Sequence, residues 1–156
     1  MICFAENRSM KYPNTKRIAD FIKENKILTL CCLDQNNKPY CFHCFYAFDE
    51  RNHLLFFKSS TGSYHSLLLS QNPIVSGSIL PEKIEIMALK GIQLTGTVLY
   101  SDFPCQDSPE SIYHKKFPFA VVKPGHVWCI RLDTLKMTDN TNIFGKKLEW
   151  RNEELV

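Results

Sequence analysis

Three apolar runs follow one another early in the chain, and only short polar turns separate them. They are Ile27 to Leu33, Tyr40 to Phe48 and His53 to Lys58. The links are Asp34-Gln35-Asn36-Asn37-Lys38-Pro39 and Asp49-Glu50-Arg51-Asn52. Their Asp, Asn and Pro residues favour turns through local side-chain hydrogen bonds or a fixed φ. Links this short join neighbouring antiparallel strands, because a parallel crossover needs about a dozen residues or more. The segment is therefore expected to be an antiparallel meander, and the rest of the chain must fold around it.

The flanking sequence supplies helices and more strands. Ile18, Phe21 and Ile22 have the spacing of one helix face over Thr15 to Asn25, with Asn14 or Thr15 as its cap. Ser63 caps a short helix over Tyr64 to Ser70, whose Tyr64, Leu67 and Leu68 share a face; Asn72-Pro73 ends it. Strands are expected at Ile74 to Leu80 and between Ile84 and Tyr100, with Gly91 marking a bulge or bend. Ser108-Pro109-Glu110 starts a third helix, which stops before Pro118. Val127 to Met137 and Leu148 to Trp150 complete the strands. The expectation is a mainly β fold with peripheral helices: a barrel of six or more mostly antiparallel strands and about three short helices. Residues 1–14 are expected to form an irregular segment, in which Met10 is a second candidate start. Residues 15–156 form one domain, as 156 residues suggest.

Composition narrows the function classes. A net charge of +3 with no Lys/Arg-dense block does not point to nucleic acid. The aromatics of the second strand have no basic groove beside them, so base stacking is not expected. Apolar runs of a few residues are too short to span a membrane, and Met1 to Ser9 lacks the pattern of a signal peptide. Seven cysteines, an odd number, fit reduced thiols in a cytoplasm.

Cys41-Phe42-His43-Cys44 has half the spacing of a zinc site. On a strand, however, Cys41 and His43 point one way and Cys44 the other, so the two thiols cannot share an ion. Cys31-Cys32 alternates in the same way, and one thiol at least faces the core. His43, His53, His65, His114 and His126 match no metal spacing, and no metal site is expected. Gly91 to Gly96 reads as strand rather than as a nucleotide loop. Phe57 to His65 is the most informative stretch. It carries Lys58 and the hydroxyls Ser59, Ser60, Thr61 and Ser63 into a helix N-terminus, with Gly62 allowing close approach. Such a set can serve a phosphate. It is also what an ordinary Ser-rich loop with a capping serine looks like.

The order "strand, Ser/Thr, short gap, helix, Asn-Pro, strand" in Leu54 to Ser60 and Gln71 to Gly77 resembles the flavin-binding split barrels related to pyridoxamine 5′-phosphate oxidase. Lys90 to Val98 looks like that family's next core strand. Met137-Thr138-Asp139-Asn140-Thr141, Phe144-Gly145-Lys146-Lys147-Leu148-Glu149-Trp150, Val127 to Asp133 and Phe45 to Asp49 are similar to its YhbP-like branch. The resemblance runs from about Ile18 to Trp150.

It implies a homodimer of split β-barrels with FMN at the subunit interface. His43, Cys44, Phe45 and Tyr46 would face the isoalloxazine edge. Lys58, Ser59 and Ser60 would follow on the third strand, and Ser63, Tyr64 and His65 would hold the phosphate. Gln93 matches a polar position on a later strand, and Lys146 and Lys147 would reach the flavin from the partner. Such families often carry Lys or Arg at the helix start. Here Tyr64 and His65 stand there, which leaves Lys58 and a protonated His65 as the positive charge. The C-terminal Arg/His motif that reads pyridoxamine is not recognisable, which argues against vitamin B6 oxidation. The implied function is an FMN-dependent oxidoreductase of unknown small-molecule substrate, with no catalytic acid or base identifiable. The alternatives are a non-enzymatic flavin- or haem-binding protein and a structural dimer with an empty cleft.

Overall fold

The structure, a computed structural model, describes residues 13–141 and 145–153. Cys3, Met10 and Phe144 lie outside them. The elements in order are α1 (Pro13–Glu24), β1 (Ile27–Leu33), β2 (Pro39–Asp49), β3 (Leu54–Ser59), α2 (Tyr64–Gln71), β4 (Ile74–Ile79), β5 (Lys90–Leu99), α3 (Pro109–Lys116), β6 (His126–Asp139) and β7 (Lys146–Arg151). Short 3-10 turns occupy Ile86–Ala88 and Pro118–Val122. None of these helices is long and apolar enough to cross a membrane.

All strand pairings are antiparallel, in the order β3-β2-β1-β4-β5-β6-β7, and a β3–β6 pairing closes the first six strands into a barrel. The meander expected from the three apolar runs is therefore β1-β2-β3. Closure depends on the length of β6. Its first half, His126 to Arg131, pairs with β3, and its second half, Thr134 to Asp139, pairs with β7. The two halves are offset by a bulge: Thr95 faces Thr134 and Gly96 faces Leu132, leaving Asp133 as the extra residue. The bulge sits at Gly96 rather than at Gly91. A Cβ at Gly96 would lie 2.6 Å from Ile130 Cγ2 and 2.8 Å from Arg131 O.

The barrel core is built from alternate residues. Leu28, Leu30 and Cys32 of β1, Phe42 and Tyr46 of β2, and Trp128, Ile130 and Leu132 of β6 all point inward. Helix α1 closes one end with Ile18, Phe21 and Ile22, the three residues its spacing singled out. The helix starts at Pro13, so Asn14 and Thr15 sit in its first turn rather than capping it. Each such aliphatic or aromatic burial is worth about 1.5–3 kcal/mol. Strand β3 is apolar on both faces for a second reason. Leu55 and Phe57 enter the barrel, while Leu54 and Phe56 pack with Tyr113, Phe117 and Ala120 beneath α3 and the turn after it.

The sequence misjudged the face of α2. Ser66, Leu68 and Leu69 are buried, while Tyr64 and Leu67 are half exposed, at 50% and 52%. The physical reason is polar. Ser66 turns inward because its hydroxyl donates to Ser60 O at 2.8 Å.

Candidate functional site

The β3–α2 junction folds into a tight cluster of hydroxyls around one imidazole. Ser63 is the N-cap of α2, as its position suggested, and accepts from Ser66 N–H at 3.4 Å. Its hydroxyl also donates to Ser60 O at 2.8 Å. His65 Nε2 lies 2.5 Å from Ser59 Oγ and 3.0 Å from Ser63 Oγ. The two hydroxyls are themselves 3.1 Å apart. The imidazole stacks on Phe42, with centroids 3.9 Å apart and planes 8° from parallel. Behind the cluster, Gly125 takes φ +149, and a Cβ there would sit 2.8 Å from Ser59 O. That close approach lets the start of β6 lie against the end of β3. Gly62, in contrast, has open space around it, with nothing nearer than Ser60 Oγ at 4.0 Å.

The electrostatics differ from the sequence expectation in two ways. Burial against Phe42 lowers the His65 pKa, so the ring is neutral rather than protonated near pH 7. Lys58 points away from the hydroxyls, because neighbours on a strand alternate. Its ammonium donates to Ala120 O at 2.9 Å and meets His114 Nε2 at 3.1 Å, and it holds the turn after α3 against β3. Lys58 and Ser59 therefore do not form one set. The cluster is a neutral cradle of hydroxyls and helix N–H groups.

The remaining expected residues divide by face. His43 and Phe45 point out of the barrel, and both are exposed. His43 Nδ1 meets Thr29 Oγ1 at 3.1 Å. Cross-strand register places His43, Thr29, Ser78, Gln93 and Lys136 in one row on the outer sheet face. His43 and Gln93 are thus on the same surface, three strand spacings apart, about 14 Å. Cys44 and Tyr46 face inward. Cys44 packs on the core, where burial pushes its thiol up to about 12. Tyr46 is fully buried, its hydroxyl donates to Ile22 O at 2.6 Å, and burial raises its pKa. Within one chain, neither Cys44 nor Tyr46 opens onto the outer face.

Tyr64 is exposed and meets Tyr40 edge-to-face, with centroids 5.0 Å apart. The pair stands beside a pocket of about 220 Å3 lined by Asp34, Gln35, Asn36, Tyr64, Leu67, Leu68 and Gln71. Lys146 and Lys147 are exposed on β7, paired with Asp139 and Thr138 at the end of β6 opposite to the hydroxyl cluster. The Thr138-Asp139-Asn140-Thr141 motif has a structural task. Asp139 is buried, accepts from Thr141 N–H at 3.1 Å and Thr141 Oγ1 at 2.6 Å, and pairs with Arg17 of α1.

Sequence reasoning missed Ser66 and Phe42. Ser66 had a signal: it lies three residues after the Ser63 cap. Phe42 had none, because its contact with His65 depends on how α2 docks on the barrel.

No family model matches the chain. It is similar to a UPF0306 protein of Yersinia pseudotuberculosis serotype O:3, at 34% identity over 134 residues, or 86% of this chain and 90% of that protein. Three solved structures share the fold. A haem-binding protein from Mycobacterium smegmatis superposes with a TM-score of 0.74 at 13% identity; the match covers 91% of this chain but only 59% of that one. A Clostridium acetobutylicum protein related to general stress protein 26, of the pyridoxinephosphate oxidase family, gives 0.64 at 12% identity, over 93% of this chain and 100% of that one. A FAD-binding protein from Mesorhizobium loti gives 0.61 at 13% identity, over 78% and 91%.

Proposed function

We propose that this chain, which belongs to the UPF0306 family, binds FMN and works as a homodimeric flavoprotein, an oxidoreductase of unknown small-molecule substrate. The observation that carries this reading is the hydroxyl cluster at the α2 N-terminus. The Ser59 and Ser60 hydroxyls supply rotatable donors, the Ser63 and Ser66 hydroxyls hold the loop by donating to Ser60 O, and the first turn of α2 adds backbone N–H groups and its positive dipole end. That donor set fits a phosphate. The outer face of β2, with His43 and exposed Phe45 next to Thr29 and Ile27, offers a surface for a planar ring. Gln93 lies further along that face. Lys146 and Lys147 are too distant to serve the same chain's cluster and would act across a dimer. When bound, FMN supplies hydride or single-electron chemistry; the protein supplies binding, orientation and water exclusion. Membership of the YhbP-like branch is part of the same proposal.

A second reading has its own observation. Lys58, the cation expected beside the phosphate, is engaged by Ala120 O and His114. A planar ligand without a phosphate, such as haem, does not need it, and His43 is exposed on the outer face. The haem-binding protein with this fold lends that reading weight.

Purified protein titrated separately with FMN and with haem, followed by absorbance and by sedimentation, separates these readings. The flavin reading expects about one FMN per chain on a dimer, with Ser59→Ala and Ser60→Ala each weakening binding about tenfold, the worth of about one hydrogen bond to a charged group. A Soret shift abolished by His43→Ala, with no FMN uptake, favours haem. Uptake of neither ligand overturns both and leaves a structural dimer.

A further inference from the structure

Cys31 and Cys41 are directly opposite each other in the β1–β2 ladder. Both point to the outer face: Cys41 is exposed and Cys31 is partly so, whereas Cys32 next to it is buried. The phase of the ladder follows from its two ends. Tyr46 N–H donates to Lys26 O at 3.1 Å, and Asp34 N–H donates to Lys38 O at 3.0 Å. These bonds flank the pairs Ile27–Phe45 and Leu33–Pro39, which makes both non-hydrogen-bonded pairs. Cys31–Cys41 has the same parity and is one too. In such pairs the Cα atoms approach to about 4.5 Å and the side chains are closest. That spacing is at the short end of the range that a disulfide bridges, about 4.4–6.8 Å. The neighbouring Cys41 thiol, then burial, push the Cys31 thiol up to about 11.

We propose that Cys31 and Cys41 form a reversible dithiol–disulfide couple on the outer face of the barrel, oxidised by low-molecular-weight disulfides. Exposed Cys41 attacks the small disulfide as thiolate, forms a mixed disulfide and releases one thiol. Cys31 then loses its proton and attacks the Cys41 sulfur, closing the cross-strand bond and releasing the second thiol. The protein dithiol is oxidised by two electrons and the small disulfide is reduced to two thiols. Because the Cα spacing is at the short limit and Cys41 is accessible, the bond is a labile, regulatory type rather than a structural staple. The couple goes beyond the flavin reading and does not depend on it.

The test is equilibration of native protein in mixtures of reduced and oxidised glutathione, followed by acid quenching, alkylation and mass analysis. Cleavage before Asp34 separates Cys31 and Cys32 from Cys41 and Cys44. The expected result is loss of two alkylatable thiols, a mass lower by two hydrogens, and one linkage between Cys31 and Cys41. Cys31→Ser traps glutathione on Cys41, while Cys32→Ala and Cys44→Ala leave the linkage intact. Full alkylation of both thiols in excess oxidised glutathione, or glutathionylated Cys41 without closure in the unsubstituted protein, overturns the proposal. So does equal formation of the linkage in urea-unfolded chain, because the fold is then not what selects the pair.

Discussion

The His65 ring lies flat on Phe42, centroids 3.9 Å apart, with its Nε2 held between the Ser59 and Ser63 hydroxyls. One contact thus joins the hydroxyl cluster to the barrel core. It also fixes the charge of the site. Desolvation lowers the His65 pKa, so the folded chain binds this proton less readily than the unfolded one.

The His65 titration tests that statement. By NMR, its midpoint is expected below the ordinary histidine value of about 6.5. The linked stability is fully present above that value and declines as pH falls through it towards the folded midpoint. Phe42→Leu removes the stacked face and is expected to move the midpoint back up. A midpoint above the ordinary value in the unsubstituted protein would show a cationic ring and refute the neutral cradle.

Tyr46 separates packing from binding. Tyr46→Phe removes the hydroxyl that donates to Ile22 O and ties β2 to α1. The expected cost is about 0.5–1.5 kcal/mol in urea unfolding, with affinity for FMN unchanged. A loss of binding with stability intact would assign Tyr46 to the ligand.

Asp139 predicts an acid dependence. Its burial raises the carboxyl pKa, but the Thr141 bonds, Lys90 and Arg17 outweigh that and lower it below the ordinary value. The stability it contributes is present above the unfolded carboxylate value and lost as pH falls through the lower folded one. Asp139→Asn is expected to cost about 1–3 kcal/mol at pH 7 and to flatten the acid limb of the stability curve. An unchanged acid limb would mean that Asp139 carries no such linkage.

Two glycines give opposite outcomes. Gly96→Ala drives a Cβ to within 2.6 Å of Ile130 and 2.8 Å of the Arg131 carbonyl. Overpacking of that kind costs about 1–3 kcal/mol. Gly62→Ala enters open space and is expected to stay within about 0.5 kcal/mol of the parent. Thermal unfolding of the two variants measures the contrast, and equal midpoints would contradict it.

Local chemistry carried much of the fold into the sequence. The apolar run Ile27 to Leu33 has the observed bounds of β1. Ser63 acts as the cap expected of it, and the helix expected to start at Ser108-Pro109-Glu110 does so. These features rest on neighbours in sequence: alternation, a turn, a side-chain oxygen near an amide. The buried face of α2 differs from its apolar pattern because the inward bond of Ser66 depends on the loop before the helix. Gly91 suggests a bulge or bend and the bulge lies at Gly96, because a glycine alone does not say which partner residue it meets.

Local sequence sets an antiparallel meander, a serine cap on α2, a helix start at Ser108-Pro109 and a run of hydroxyls at a strand–helix junction. Periodicity and capping are properties of a few adjacent residues, so they survive without any tertiary context. Tertiary structure alone decided that β3 closes on β6 and that Lys58 parts from Ser59 to bind Ala120 and His114. It decided that His65 is neutral on Phe42, and that Cys31 faces Cys41. Each of these depends on residues far apart in the chain meeting in one register, and a register exists only once the barrel has closed and its core has chosen which side of every strand faces in.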